Sequence, residues 1–248
     1  MSSHVGRLCS FKQNKIKQGE KLNKKKTCTT DTPILALTVG PSGSGKGFCV
    51  GDIFAEFHGV HTFVTGEWCR LNAEGFSSRG ELAPDDIINN AVETHFLTHS
   101  DCFYNIDAPR TVKQAIFLIR MYRNKHPDCR IVTFHIDATH DQSFALISHR
   151  AKRQRRQDDT LSEAVEKRLK TYFKQGGILE TLIPFLEKES DDFVSIQHKE
   201  FDNPLQVTND GISEIMVATR KYMQIHVAPG YFERPDNLPV VAPTAPIS

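Results

Sequence analysis

Apolar residues along this chain concentrate in short runs, separated by longer stretches in which they recur every three to four positions. The runs lie at 33–39 (PILALTV), 60–64, 102–107 (CFYNID), 130–137 (RIVTFHID) and 193–196. Brief apolar runs bounded by turn residues read as buried parallel strands. The stretches between them predict helices at about 46–57, 85–97, 111–126, 141–156, 161–175, 178–188 and 211–224. The second of these follows Pro84, a helix-start signal, and carries Ile87, Ile88, Ala91, Val92 and Phe96 on one face. Gly176-Gly177 separates two of the helices. Strands alternating with helices predict an α/β fold: a five-stranded parallel sheet with helices on both faces and right-handed crossovers.

Composition refines the boundaries. Among 248 residues, 39% are hydrophobic and 25% charged, which is ordinary globular usage. No apolar run approaches the ~20 residues of a membrane helix, so no membrane partner is expected. Residues 1–30 hold eight bases against one acid, a balance of +7, and the other 218 residues carry −6. The expected organisation is a basic disordered arm over 1–31, a folded domain over 32–225 and a tail over 226–248. Five prolines in that tail (Pro229, Pro235, Pro239, Pro243 and Pro246) exclude helix and sheet there. The arm implies weak nucleic-acid binding at most, and the domain a monomer.

Six cysteines (Cys9, Cys28, Cys49, Cys69, Cys102 and Cys129) form no C-x-x-C pair, so no structural zinc is expected. They read as reduced thiols of a cytoplasmic protein, the last four as small buried hydrophobes. A mitochondrial or nuclear address stays open, given the basic start and Lys24-Lys25-Lys26. His95 and His99, four apart, are expected on a solvated helix edge.

One turn carries chemistry. Gly40-Pro41-Ser42-Gly43-Ser44-Gly45-Lys46 joins the first strand to the first helix and fits G-x-x-x-x-G-K in its required context. Glycines let backbone N–H groups turn inward around phosphate oxygens, and the helix adds its positive end. Lys46 supplies a mobile charge. The next residue is Gly47, where the general motif has Ser or Thr, and Phe48 follows.

That loop, as GPSGSGKG, resembles the phosphate loop of the adenylate kinase family. Four further segments resemble the family in the same order: Thr65-Gly66-Glu67-Trp68-Cys69-Arg70; Gly80-Glu81-Leu82-Ala83-Pro84-Asp85; Asp107-Ala108-Pro109-Arg110-Thr111 with Gln114-Ala115; and Arg150, Arg156, Asp158-Asp159 and Arg168. The resemblance spans about 33–225. It implies the P-loop NTPase fold with a short lid at about 150–159. It implies transfer of the γ-phosphoryl of ATP, with Mg²⁺, directly and reversibly to a nucleoside monophosphate.

By that resemblance Gly40, Ser42, Gly43, Ser44, Gly45, Lys46 and Gly47 hold the ATP phosphates, and Asp107 holds Mg²⁺ through water. Thr65, Arg70, Arg110 and Gln114 bind the monophosphate. Lys46, Arg110, Arg150, Arg156 and Arg168 are the catalytic cations, and Asp158 and Asp159 orient the lid arginines. Arginine suits the task because its planar fork pairs two phosphate oxygens at once. Thr65 with Gln114 is similar to the AMP-using branch. A UMP/CMP or deoxynucleotide kinase, and a catalytically degenerate nucleotide-binding scaffold, are the alternatives. The basic run 152–159 also reads as a solvated face or a nucleic-acid patch.

The chain departs from the family at four places, one of them Phe48, where the family usually has Thr or Ser. The stretch from Arg70 to Pro84 is short, so the monophosphate-binding arm is trimmed. Asp107 and Pro109 stand one residue closer together, and Leu146 replaces an arginine that packs on the ATP base.

Overall fold

The computed structural model describes residues 26–27, 32–46, 57–58, 60–99, 103–154, 159, 162–197, 217 and 221. Five strands form one parallel sheet. β2 (Ile34–Val39), β4 (Val60–Phe63), β5 (Phe103–Ile106), β6 (Arg130–Asp137) and β7 (Asp192–Gln197) lie in the order β4-β5-β2-β6-β7. The first of these in sequence is central in space. From β2 the chain runs out to the edge strand β4, returns to β5 and then crosses β2 to β6 on the other side, so successive connections diverge at β2 and open a crevice at its carboxyl end. The other two strands, β1 (Lys26–Thr27) and β3 (Phe57–His58), pair only with each other.

The helices are α1 (Thr65–Asn72), α2 (Glu74–Ser78), α3 (Asp85–Thr98), α4 (Val112–Lys125), α5 (His140–Gln154), α6 (Ser162–Phe173) and α7 (Ile178–Glu189). Each longer helix buries a stripe at helical spacing. For α4 it is Gln114, Ala115, Leu118, Ile119 and Tyr122, behind a Thr111 cap whose side chain accepts from Gln114 N–H. For α3 it is Ile88, Val92 and Phe96, with Asp85 and Asp86 in the first turn.

The central strand is buried at all six positions. Polar groups inside the sheet are paired, as burial demands: Thr38 Oγ1 donates to Asn105 Oδ1 at 3.2 Å, and Tyr122 Oη donates to the Ile34 carbonyl at 2.9 Å. The fold is the expected P-loop α/β sandwich. Among the described residues no helix is long and apolar enough to cross a membrane.

Several expectations change. The helix expected over 46–57 does not reach its far end, because Phe57–His58 pair as a strand with Lys26–Thr27, inside the arm expected to be aperiodic. Lys46 is helical, and 47–56 lie outside the described residues, as does the Pro-rich tail. Of the closing helix expected over 211–224, positions 217 and 221 are described and both are helical. Among the cysteines, Cys69 is buried, Cys129 is half-buried and both are free.

His95 is not on a solvated edge. Its Nδ1 is 2.6 Å from Tyr104 Oη, its ring stacks on His99 at 4.3 Å, and it meets Phe63 edge-on at 5.3 Å. His61 closes the cluster, 5.1 Å from His99. His99 is exposed, as expected, whereas His95 is half-buried against Phe63 and Tyr104 of the neighbouring strands, which one-dimensional spacing does not reveal.

Candidate functional site: a phosphate loop ringed by cations

The phosphate loop leaves the central strand at the crevice. Gly40, Gly43 and Gly45 all take positive φ, at 149°, 87° and 88°. At Gly40 the reason is also steric, since a Cβ would collide with the Ile136 carbonyl oxygen of the neighbouring strand. The loop is thereby pressed against β6. Lys46 is helical and its side chain folds back over the loop, donating from Nζ to the Pro41 carbonyl at 2.7 Å. It is only 8% exposed. Burial lowers its pKa to about 7; Arg110 and Arg150 push the same way, against Asp107.

Asp107 follows the end of β5, and its backbone N–H donates to the Phe63 carbonyl at 3.0 Å. Its Oδ1 is buried without a hydrogen bond and lies 3.8 Å from the Arg110 guanidinium. An unsatisfied carboxylate oxygen beside the phosphate loop fits a hard cation held through water, with phosphate oxygens supplying the remaining ligands. Among the described residues no three His, Cys, Asp or Glu side chains are placed to hold a metal by themselves.

Arg110 is held from behind. Its backbone N–H donates to Gln114 Oε1 at 2.8 Å, while Gln114 Nε2 and Thr111 Oγ1 both donate to Asp85 Oδ1 at 2.9 Å. Gln114 is 1% exposed, so both ends of its amide are engaged inside the protein.

Across the cleft, Asp159 joins two arginines. Its Oδ2 accepts from Arg150 Nε at 2.6 Å, and its Oδ1 from Arg150 Nη2 at 2.9 Å and Arg168 Nη2 at 3.0 Å. The Asp159 side chain is fully buried. Burial alone would raise its carboxyl, but the Arg150 hydrogen bonds and both positive charges outweigh that and hold it below the ordinary carboxylate range. Two guanidinium groups with one carboxylate leave a net positive charge at the crevice.

Gly80 and Leu82, between α2 and α3, form another wall. Thr65 opens α1, with a buried hydroxyl that has no hydrogen-bond partner, and Arg70 lies in its last turn, with Nη1 near Gly66. Gly80 takes φ 66° and lies flat on α6, where a Cβ would strike the Ala164 carbonyl. Glu81 Oε1 accepts from Lys167 Nζ at 2.8 Å, and Oε2 from Arg79 Nε at 2.9 Å.

Gly40, Ser42, Lys46, Asp107, Arg110 and Arg168 therefore line one cleft. Arg150 stands behind Arg168 through Asp159. Thr65, Arg70 and Gln114 do not line the cleft, and Gln114 reaches it through Arg110. Gly47, Arg156 and Asp158 lie outside the described residues. Leu82, Pro109 and Tyr172 also line the cleft but were not among the sequence candidates. Tyr172 was findable, four residues beyond Arg168 on a helix and so on the same face. Asp85 was read only as part of a motif, and its partners are 26 and 29 residues away.

No family model matches the chain. An adenylate kinase from Bifidobacterium longum (strain NCC 2705) is 32% identical over 156 residues, which cover 58% of this chain and 82% of that protein. One from Parvibaculum lavamentivorans is 32% identical over 161 residues, covering 58% and 76%. One from Trichodesmium erythraeum (strain IMS101) is 23% identical over 194 residues, covering 73% and 96%. Among solved structures, a gluconokinase from Sinorhizobium meliloti 1021 superposes with a TM-score of 0.44 at 16% identity, covering 78% of this chain and 98% of that one. On the extent and identity of the first two matches, joined to a P-loop sheet with cations gathered at its loop, the chain belongs to the adenylate kinase family, as a divergent member, and is a kinase of the P-loop type.

Proposed function

We propose that this chain transfers the γ-phosphoryl group of ATP directly and reversibly to a nucleoside monophosphate, with AMP as the acceptor. The observation that carries this reading is the convergence of Lys46, Arg110 and Arg168 on one cleft, with Arg150 tied to Arg168 through Asp159. Two phosphate groups brought in line repel each other, and phosphoryl transfer needs that charge neutralised more than it needs a base.

In this reading the loop N–H groups cradle the ATP phosphates, and Lys46 leaves the Pro41 carbonyl to follow the transferring group. Arg168 and Arg150 meet its equatorial oxygens from the lid side. Arg110 and Arg70 hold the acceptor phosphate. Asp107 would hold Mg²⁺ through water, and the ion would supply neutralisation of phosphate charge there. The attacking group is already an oxyanion, so no side chain need take a proton. The arm and lid exclude water, which keeps hydrolysis slow.

AMP is favoured by the pairing of Thr65 with Gln114. The unpartnered Thr65 hydroxyl is the group left for the acceptor's base, and Gln114 supports the acceptor by holding Arg110. The experiment is transfer from labelled MgATP to AMP, dAMP, CMP, UMP, GMP and dTMP, beside Lys46→Met. Labelled ADP from AMP, reduced at least about 100-fold in the variant, supports the reading. Product with a different acceptor corrects the specificity, and ATP binding without any product turns the assignment to a nucleotide-binding scaffold.

A further inference from the structure

His135 and Tyr172 form a buried pair that the phosphate chemistry does not use. His135 is the sixth residue of β6 and lies in register with Val39, the last residue before the phosphate loop. Its Nε2 is 3.0 Å from Tyr172 Oη. Both residues are almost fully buried, at 5% and 2% exposure. Tyr172 stands four residues beyond Arg168 on α6, and both side chains line the cleft. The strand beneath the loop and the helix bearing an arginine of the site are thus joined by one hydrogen bond. Burial lowers the imidazole pKa and raises that of the phenol, so both groups stay uncharged. A neutral pair in an aromatic pocket, with Phe193 5.9 Å from the imidazole, holds its geometry without competing for phosphate.

We propose that His135 and Tyr172 are positioning residues that set the place of Arg168 relative to the phosphate loop; this rests on the phosphoryl-transfer reading above. The hydrogen bond crosses from sheet to helix one helical turn from Arg168, so losing it lets that turn shift. An arginine displaced by about 1 Å lowers turnover by as much as about 100-fold while leaving ground-state binding in place.

The test uses the full chain with Tyr172→Phe, His135→Phe and His135→Gln; the last places an amide nitrogen near the imidazole Nε2. Transfer from MgATP to the acceptor is measured for each, alone and with Arg168→Lys. The Nε–H resonance of Arg168 is followed by NMR in the ligand-free protein. The expected result is a kcat about 10- to 100-fold lower for both phenylalanine variants, with KM within about threefold, and recovery in His135→Gln. Little further loss is expected beside Arg168→Lys, because both changes act on one group. The Arg168 resonance should move in the phenylalanine variants and return in His135→Gln.

Unchanged kcat, losses that multiply with Arg168→Lys, or a fall in Tm with the Arg168 resonance unmoved each overturn the proposal. Should the wild type transfer phosphoryl to no acceptor, the function reading fails by itself. The resonance then decides this inference alone, movement supporting it and an unmoved signal overturning it.

Discussion

Lys46 donates to the Pro41 carbonyl at 2.7 Å, so the loop's own lysine folds over the loop that precedes it. Its pKa is lowered to about 7, chiefly by burial, against an ordinary value of 10.5. ATP brings compensating negative charge and restores the cation. Binding above pH 7 is therefore expected to take up close to one proton. Calorimetric titration at pH 8 in buffers of different ionisation enthalpy reads that number, and Lys46→Met should abolish it. The sign for stability follows from linkage: between about 7 and 10.5 the unfolded chain holds a proton that the fold does not, so the ligand-free protein gains stability as pH rises through that window. Lys46→Met flattens this slope.

Asp159 is the next weak point. Asp159→Ala leaves Arg150 and Arg168 facing each other without their shared carboxylate. A broken buried pair typically costs about 3–5 kcal/mol, and with both arginines released turnover should fall at least about 100-fold. Asp159→Asn keeps the shape but not the charge, and should lie between. Because the folded carboxyl titrates below its unfolded value, its contribution is present above about pH 4 and is lost as pH falls further. Chemical denaturation from pH 6 to pH 3, wild type beside Asp159→Asn, reads the difference in slope.

Gly80→Ala tests the docked arm. At φ 66°, with the Ala164 carbonyl where a Cβ would stand, alanine cannot keep this contact. The arm should lift from α6, raising KM for the acceptor about tenfold or more while the affinity for ATP stays within about twofold, since roughly 1–3 kcal/mol of strain falls on the acceptor side only. Steady-state kinetics with each substrate varied separately gives the answer. Equal losses for both substrates would show that the arm is not a separate wall.

The histidine cluster predicts an acid limb. Burial first, then His99 and His61, lowers the His95 pKa to about 4. The imidazole is neutral in the fold and protonates earlier in the unfolded chain, so stability is lost as pH falls from about 6.5 toward 4. His95→Phe should flatten that part of the Tm-versus-pH curve and keep the packing on Phe63. An unaltered curve would assign the limb to another group.

Much of this was legible in the chain. Buried parallel strands are short, mainly apolar runs, so the sheet could be drawn from 33–39, 102–107 and 130–137 with boundaries within a residue or two. Gly40–Lys46 was legible because its chemistry needs backbone freedom at fixed spacing. The short helices α1 and α2 were not, since EGFSS is barely one turn, TGEWCRLN buries only Thr65 and Cys69, and neither has a side-chain cap. The Asp85 hub and the His135–Tyr172 pair were hidden for a different reason. Each joins residues 26 or more positions apart, and a single sequence shows neither partner pointing at the other.

The short helix Ser162–Phe173 has a consequence for how the protein avoids waste. It meets Asp159 through Arg168, Glu81 through Lys167 and His135 through Tyr172, three different parts of the molecule within two turns. At 1.5 Å and about 100° per residue, a slip of one residue along its axis would separate all three contacts at once. Competence is thus a logical conjunction: lid arginine, acceptor wall and loop support are in place together or missing together. On the proposed phosphoryl transfer, half-built states, with ATP loaded and the acceptor side open to water, are the ones that would lose the nucleotide to hydrolysis, and a single helix serving all three contacts would keep them sparse.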